Sequence, residues 1–313
     1  MHLQKVQLVT ITENEELQRL DNFLLARLKG VPKSAVYKII RKGEVRVNKK
    51  RCKPLQKLQV GDVVRIPPVK LQEASSPPLP SNQLSKLLAN SILFDEGGLL
   101  IVNKPSGLAV HGGSGVNLGL IEALRQMPEN KGFLELIHRL DRDTSGCVMI
   151  ARKRSVLKKY QEALRLRHGI QKRYTALVQG SWPKHTSMVD LPLKRFLINN
   201  GERIVRVSDD GKPSKTAFKV LQRFQNATLL EASPITGRTH QIRVHALHHG
   251  CPLFGDAKYG DTPLNAELTR STKINRLFLH ASALKVTLDD DSRFEVEAPL
   301  PLELESALKA LTG

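Results

Sequence analysis

A chain of 313 residues with 49 Lys and Arg against 30 Asp and Glu, and a formal net charge of +19, is long enough for two domains and suited to a polyanionic partner. No apolar run approaches the ~20 residues needed to cross a bilayer, and the first residues lack the charged-then-apolar order of a signal peptide, so a soluble, cytoplasmic protein with no membrane partner is expected. Cys52, Cys147 and Cys251 are far apart and form no CxxC pair, so neither a zinc site nor a disulfide framework is suggested, and the count fits a reducing compartment.

The first predicted element is a helix on which Leu17, Leu20, Phe23, Leu24 and Leu28 recur at helical spacing, ended by Gly30. Ser34 is expected to cap a second helix, with Val36, Ile39 and Ile40 as its buried face, Lys38, Arg41 and Lys42 among its exposed groups, and Gly43 closing it. The run Val45-Arg46-Val47-Asn48 alternates as a half-buried strand does, and residues 60–66 supply a later strand. Between them lies Lys49-Lys50-Arg51-Cys52-Lys53. Residues 1–70 hold 16 Lys and Arg against 6 Asp and Glu, so ten of the nineteen net charges sit in the first quarter. A footprint concentrated in one small module is the signature of binding to nucleic-acid backbone; a solvated basic surface is the bland alternative.

From Lys70 to Asn90 the composition shifts to Ser75-Ser76-Pro77-Pro78-Leu79-Pro80-Ser81, which reads as a linker. The expected division is a module at 1–72, a linker at 73–90 and a larger domain at 91–313. That domain opens with strands at 92–94 and 99–103, ended by Lys104-Pro105-Ser106-Gly107. A glycine-rich loop, Val110-His111-Gly112-Gly113-Ser114-Gly115, precedes a helix over 118–127. It lacks the Walker lysine and does not satisfy GxGxxG, so no ATP or NAD is implied. After the charged stretch His138-Arg139-Leu140-Asp141-Arg142-Asp143-Thr144-Ser145-Gly146, flanked by apolar runs at 133–137 and 147–151, come a basic helix over 155–167 and strands at 172–178, 204–207, 216–221 and 227–232. A turn and helix over 236–250, strands at 278–288 and 294–298, and a helix over 302–311 complete the chain. Strands outnumber helices without regular alternation, so the fold class is α+β with a largely antiparallel mixed sheet.

The stretch from His138 to Gly146 places a carboxylate on a turn between two buried strands, where rigid elements fix it and a substrate reaches it. Asp141 or Asp143 closing the turn through local hydrogen bonds is the simpler account of such a pattern taken alone. HRLDRDTSG, however, resembles the central motif of the RluA family of pseudouridine synthases, and TGRTHQIRVH, from Thr236 to His245, resembles a second motif of that family. The resemblance runs over nearly the whole chain. The two short helices, strands and basic turn of residues 1–72 resemble the alpha-L RNA-binding module, which points to the RluC type, acting on ribosomal RNA of the large subunit.

The resemblance implies a pseudouridine synthase catalytic domain, no cofactor, no metal, and isomerisation of uridine to pseudouridine. A carboxylate suits the first step because it can attack the sugar as a nucleophile or take a proton from it. By resemblance Asp141 is that carboxylate, Arg238 the cation beside it, and Tyr174 the tyrosine that packs against uracil. Arg139 is expected to fill the place vacated by the flipped nucleotide, since reaching a stacked base requires extruding it. For Arg238 a phosphate contact, for Tyr174 a plain strand tyrosine, and for Arg139 a salt bridge are the alternatives. Lys38, Arg41, Lys42, Lys49, Lys50 and Arg51 are expected to contact RNA.

Two other functions compete. A non-catalytic ribosome-assembly factor would keep the fold without needing Asp141, Tyr174 and Arg238. A metal-dependent hydrolase would use His240, His245, His248 and His249, but no HExxH glutamate lies between the latter histidines. A monomer is expected.

Overall fold

The computed structural model describes residues 5–28, 30–69, 78–112, 118–198, 202–260, 262–287 and 292–312. They divide into an amino-terminal unit ending at Leu79 and a larger unit from Pro80 onward.

The amino-terminal unit comprises β1 (Gln7–Thr10), α1 (Leu20–Arg27), α2 (Lys33–Arg41), β2 (Arg46–Val47), β3 (Lys50–Arg51) and β4 (Val63–Ile66). Its antiparallel sheet has the order β1-β4-β2-β3, and its core gathers Leu20, Phe23 and Leu24 from α1, Val36 and Ile40 from α2, and Val47, Val64 and Ile66 from the strands. Leu17, expected on the face of the first helix, lies before it at φ 59° and is exposed. Ser34 is not the cap of α2. Pro32 occupies that position, and its carbonyl accepts from the amides of Ala35 and Val36, so the backbone supplies the capping. Asn48 and Lys49, both at positive φ, form the two-residue turn between β2 and β3; such a turn matches the right-handed twist of its flanking strands.

The larger unit contains α3 (Asn82–Ala89), β5 (Ile92–Glu96), β6 (Leu99–Lys104), α4 (Leu120–Arg125), β7 (Glu135–Leu136), β8 (Ser145–Ala151), α5 (Arg154–Leu166), β9 (Ile170–Gln179), β10 (Met188–Asp190), β11 (Leu193–Leu197), β12 (Arg203–Val207), β13 (Lys215–Arg223), β14 (Ala227–Pro234), α6 (Gln241–His248), α7 (Thr262–Thr272), β15 (Leu279–Thr287), β16 (Arg293–Glu297) and α8 (Leu302–Thr312). Part of the expected linker is therefore α3. Ser81 Oγ accepts from the amide of Leu84 at 3.1 Å as a helix cap, and Leu88 is buried in the main core. An N-cap serine followed by leucines four apart outweighs the prolines that precede them. Residues 70–77 lie outside the described segments, as do residues 113–115 of the glycine-rich loop.

Ten strands form one sheet, with the path β10-β13-β14-β9-β15-β8-β6-β5, β16 pairing with β15 and β7 with β8. Every described pairing in it is antiparallel except β15 with β8. The architecture is α+β with a mixed, mostly antiparallel sheet. Parallel pairing at β8 brings the chain entering it, which carries Asp141, to the same end of the sheet as the start of β15.

Gly146 makes that junction possible. Its φ is 106°, and a β-carbon there would lie 2.3 Å from the carbonyl oxygen of Ala281 on β15. Gly146→Ala is expected to cost about 2–4 kcal/mol through overpacking and backbone strain, read as a lower urea midpoint; an unchanged midpoint would show that the strands separate freely.

Candidate active site

Asp141 sits on the loop between β7 and β8, and that loop is tied to the segment following β6. Lys104, at the end of β6, is fully buried, and its Nζ donates to the carbonyls of Pro105, Leu108 and Arg142 at 2.8–2.9 Å. The amide of Gly107 also donates to Arg142 O, Arg142 Nε returns a bond to Gly107 O, and Ser106 Oγ donates to Asp143 O. Burial, aided by the charge of Arg276, brings the Lys104 ammonium down to about 7. Asp143 is exposed and contributes its backbone to the turn. In the sequence Lys104 reads as a strand terminus; the signal available is a lysine closing an apolar strand, directly before Pro-Ser-Gly.

The second half of the site comes from α6 and the turn before it. Gln241 and His245, four apart and on one helical face, bond to β13 and its flank. Gln241 Nε2 donates to Thr216 Oγ1 and Lys215 O, its Oε1 accepts from Thr236 Oγ1 and the Arg238 amide, and His245 Nδ1 lies 2.9 Å from Thr216 Oγ1. This anchoring turns Arg243 toward Asp141. Arg243 Nε and Nη2 donate to both oxygens of fully buried Asp256 at 2.7 Å, while Nη1 lies 3.4 Å from Asp141 Oδ2. Asp256 is itself fixed by the amides of Lys258 and Tyr259. Although burial opposes it, bonding to Asp256 keeps Arg243 firmly charged.

His240 precedes α6 in the left-handed conformation, φ 55°, an uncommon state for a non-glycine residue that concentrates at functional sites. Its Nε2 lies 3.7 Å from Asp141 Oδ2, and its Nδ1 is 2.7 Å from Tyr259 Oη. Burial draws the ring down to about 4, against the pull of Asp141, so His240 is neutral near pH 7. Tyr259 Oη accepts from the Val205 amide and can donate to His240 Nδ1, which leaves Nε2 carrying the ring hydrogen toward Asp141.

Asp141, Tyr174, Arg238 and Arg139 line one narrow cavity of about 110 Å³, with Lys172, Thr236, Ile242 and Leu279 among its other walls. A wider cleft of about 940 Å³ shares Arg139, Asp141, His240 and Arg243 with it. Tyr174 is buried, and burial together with the charge of Asp141 raises its hydroxyl so that it stays protonated. Arg139 is exposed and makes no ion pair among the described residues, which leaves the salt-bridge account without a partner. The expectation for Arg238 needs correction: the cation against Asp141 is Arg243. Arg238 lies before the left-handed turn at His240, its Nε donates to Pro213 O, and it also lines a neighbouring cleft with Lys194, Arg195 and Lys212. The repeated Arg of TGRTHQIRVH offers two candidates, and only the anchoring of α6 distinguishes them.

Lys38, Arg41, Lys42, Lys49, Lys50 and Arg51 are all exposed on the amino-terminal unit. Among the described residues no group of three or more His, Cys, Asp or Glu is arranged to hold a metal ion. His245 is engaged with Thr216, Ser214 and Leu191, and His249 packs against Trp182. No helix among the described residues is long and apolar enough to cross a membrane.

Asp256→Ala is expected to destabilise the fold by about 3–5 kcal/mol, the typical consequence of leaving one buried charge unpaired. Urea unfolding measures it, and a loss below about 1 kcal/mol would mean that Arg243 finds its support elsewhere.

Residues 98–248 match the RNA pseudouridylate synthase family, and residues 18–64 match the S4 domain. Ribosomal large subunit pseudouridine synthase C of Yersinia pestis is 53% identical over 309 residues, spanning 98% of this chain and 96% of that protein. The protein of that name from Escherichia coli (strain K12) is 52% identical over 312 residues, spanning 98% and 97%. The structure of human RNA pseudouridylate synthase domain containing 4 superposes with a TM-score of 0.61 at 28% identity, covering 74% of this chain and 96% of that one. With near-full-length relatives at this identity, and with the motifs carrying Asp141 and Arg243 converging on one cavity, the chain belongs to the RNA pseudouridylate synthase family and is an RNA pseudouridine synthase with an S4 domain.

Proposed function

We propose that this enzyme isomerises uridines of large-subunit ribosomal RNA, with Asp141 as the catalytic carboxylate. The observation that carries the reading is the position of Asp141 on a clamped loop, against a guanidinium whose geometry is fixed by a second carboxylate. An enclosed carboxylate without a cation would have its pKa raised and lose the charge the first step needs. Asp141 attacks the anomeric carbon or takes a proton from the neighbouring sugar carbon as the bond from ribose to ring nitrogen breaks. The uracil turns and rejoins through its fifth carbon. Tyr174, held protonated, packs against the ring in the narrow cavity, and the wider cleft takes the adjoining strand.

In this reading Arg139 enters the vacated stack, where a planar guanidinium both stacks and pairs with phosphate. Arg238 serves as a phosphate contact beside Arg195 and Lys194. The six exposed cations of the S4 domain hold the RNA backbone, and the enzyme works as a cytoplasmic monomer without metal or cofactor. The wide cleft and basic surfaces favour a structured ribosomal RNA over a free nucleoside, since extrusion is cheapest where stacking is already weak.

Two measurements test this. Protein-free large-subunit RNA tritiated at the fifth carbon of uracil should release label into water with the wild-type enzyme, in the presence of a chelator, while random-sequence RNA should release far less. Asp141→Asn should bind this RNA within about threefold of wild type and lose turnover by at least about 10³-fold, since it deletes the reacting charge and keeps the shape. Near-normal turnover by that variant would refute the assignment. Separately, replacing Lys38, Arg41, Lys42, Lys49, Lys50 and Arg51 with Gln should flatten the salt dependence of RNA binding by ~0.7 in slope for each single-strand phosphate that is no longer neutralised. An unchanged slope would remove the S4 domain from the RNA interface.

A further inference from the structure

Among the described residues, two cations packed around Asp141 have their charge answered within the protein. Arg243 is held by Asp256 and Asp141, and Lys104 by three carbonyls. Lys172 lines the same narrow cavity, yet its ammonium has no hydrogen bond and no ion pair among the described residues. Burial alone acts on it, lowering its pKa from the ordinary lysine value. Lys172 is half-buried and its ammonium opens onto the cavity; an ammonium without a protein partner at the wall of a substrate cavity is placed to take one that arrives with the substrate.

The strand fixes where that ammonium stands. On β9 successive side chains alternate faces, so Lys172 and Tyr174 share the cavity side. Arg173, between them, is turned away and neutralised by Glu295 and Glu297 on β16. Lys172 Nζ reaches over Gly237, 3.8 Å from where a β-carbon on that residue would lie. The walls around it include Tyr174, Leu279 and Ile242, surfaces suited to a flat ring, and exposed Arg139 and half-buried Arg238 are cations suited to phosphate.

The reaction creates the charge such a group would meet. When the bond from ribose to ring nitrogen breaks, its electron pair stays on uracil and spreads onto the ring carbonyl oxygens. That pair then forms the new bond from the fifth carbon to the sugar, the hydrogen on that carbon leaves as a proton, and the freed ring nitrogen takes one up. We propose that Lys172 is a further catalytic residue, whose ammonium donates to a uracil carbonyl oxygen and stabilises the ring while it carries this negative charge. It gives a hydrogen bond and transfers no proton. The assignment rests on the uridine reading above.

The test compares wild type with Lys172→Met, Lys172→Gln and Lys172→Arg in single turnovers on large-subunit RNA, with RNA affinity measured alongside and products read by nucleoside analysis. Met and Gln variants should lose about 10²-fold in rate, the usual consequence of removing one donor to a developing oxyanion, with affinity within about threefold of wild type. Arg should restore part of the rate. The same series on RNA carrying 5-fluorouridine, where fluorine cannot leave the ring carbon as a cation and the rate is read as loss of the starting nucleotide when its bond to ribose breaks, supplies a readout that a structural role would not move. Fluorine withdraws electrons and eases departure of the ring, so the loss caused by Lys172→Met should shrink on the order of tenfold. An undiminished rate, a loss equal on both substrates, or a loss that appears in affinity alone would each overturn the assignment. Wild-type enzyme inert toward uridine would instead overturn the uridine reading, and this assignment with it.

Discussion

The site depends on one chain of charge running from buried Asp256 through Arg243 to Asp141, two carboxylates sharing one guanidinium. Asp256 takes Nε and Nη2 in a planar fork, which fixes the orientation of the guanidinium and leaves Nη1 for Asp141. The unequal distances, 2.7 Å to Asp256 and 3.4 Å to Asp141, give the two carboxylates different duties. The tighter pair is structural and fully withdrawn from water. The looser one leaves Asp141 partly exposed and free to approach a sugar.

That arrangement requires two distant pieces of chain to hold still. The Asp141 loop is fastened from below by Lys104, which ties Arg142 to the segment after β6, and by the close passage of Gly146 against β15. Arg243 is fastened by the helix that carries it, whose opposite face is bonded to Thr216 and Lys215 on β13. Much of the TGRTHQIRVH motif is thus explained by position. Thr236, Gln241 and His245 anchor the helix, His240 takes the left-handed turn that starts it, and Arg243 faces the carboxylate.

How much of this was legible in the sequence differs by residue. The α+β class followed from periodicity, the S4 domain from its charge and its resemblance to the alpha-L module, and the loop bearing Asp141 from two long motifs. The partner of Asp141 did not, because Arg238 and Arg243 are equivalent until a helix start is fixed within a residue or two, and that start depends on a left-handed histidine. α3 was hidden by the prolines before it, and β1 by its shortness and its exposed Leu8. Asp256 and Lys104 carried no local signal, since burial and partners across the fold define what they do. Lys172 stood two residues from Tyr174, but only the cavity shows that its ammonium has no ion pair among the described residues and faces the site.

The central claim, that Arg243 is the cation that poises Asp141, is tested most directly by comparing Arg243→Lys with Arg238→Lys in single turnovers on large-subunit RNA. Lysine cannot span Asp256 and Asp141 with a planar fork, so the first variant should lose at least about 10²-fold in rate. The second should change it by less than about tenfold, mainly through RNA affinity. A large rate loss in Arg238→Lys, with Arg243→Lys near wild type, would contradict the account.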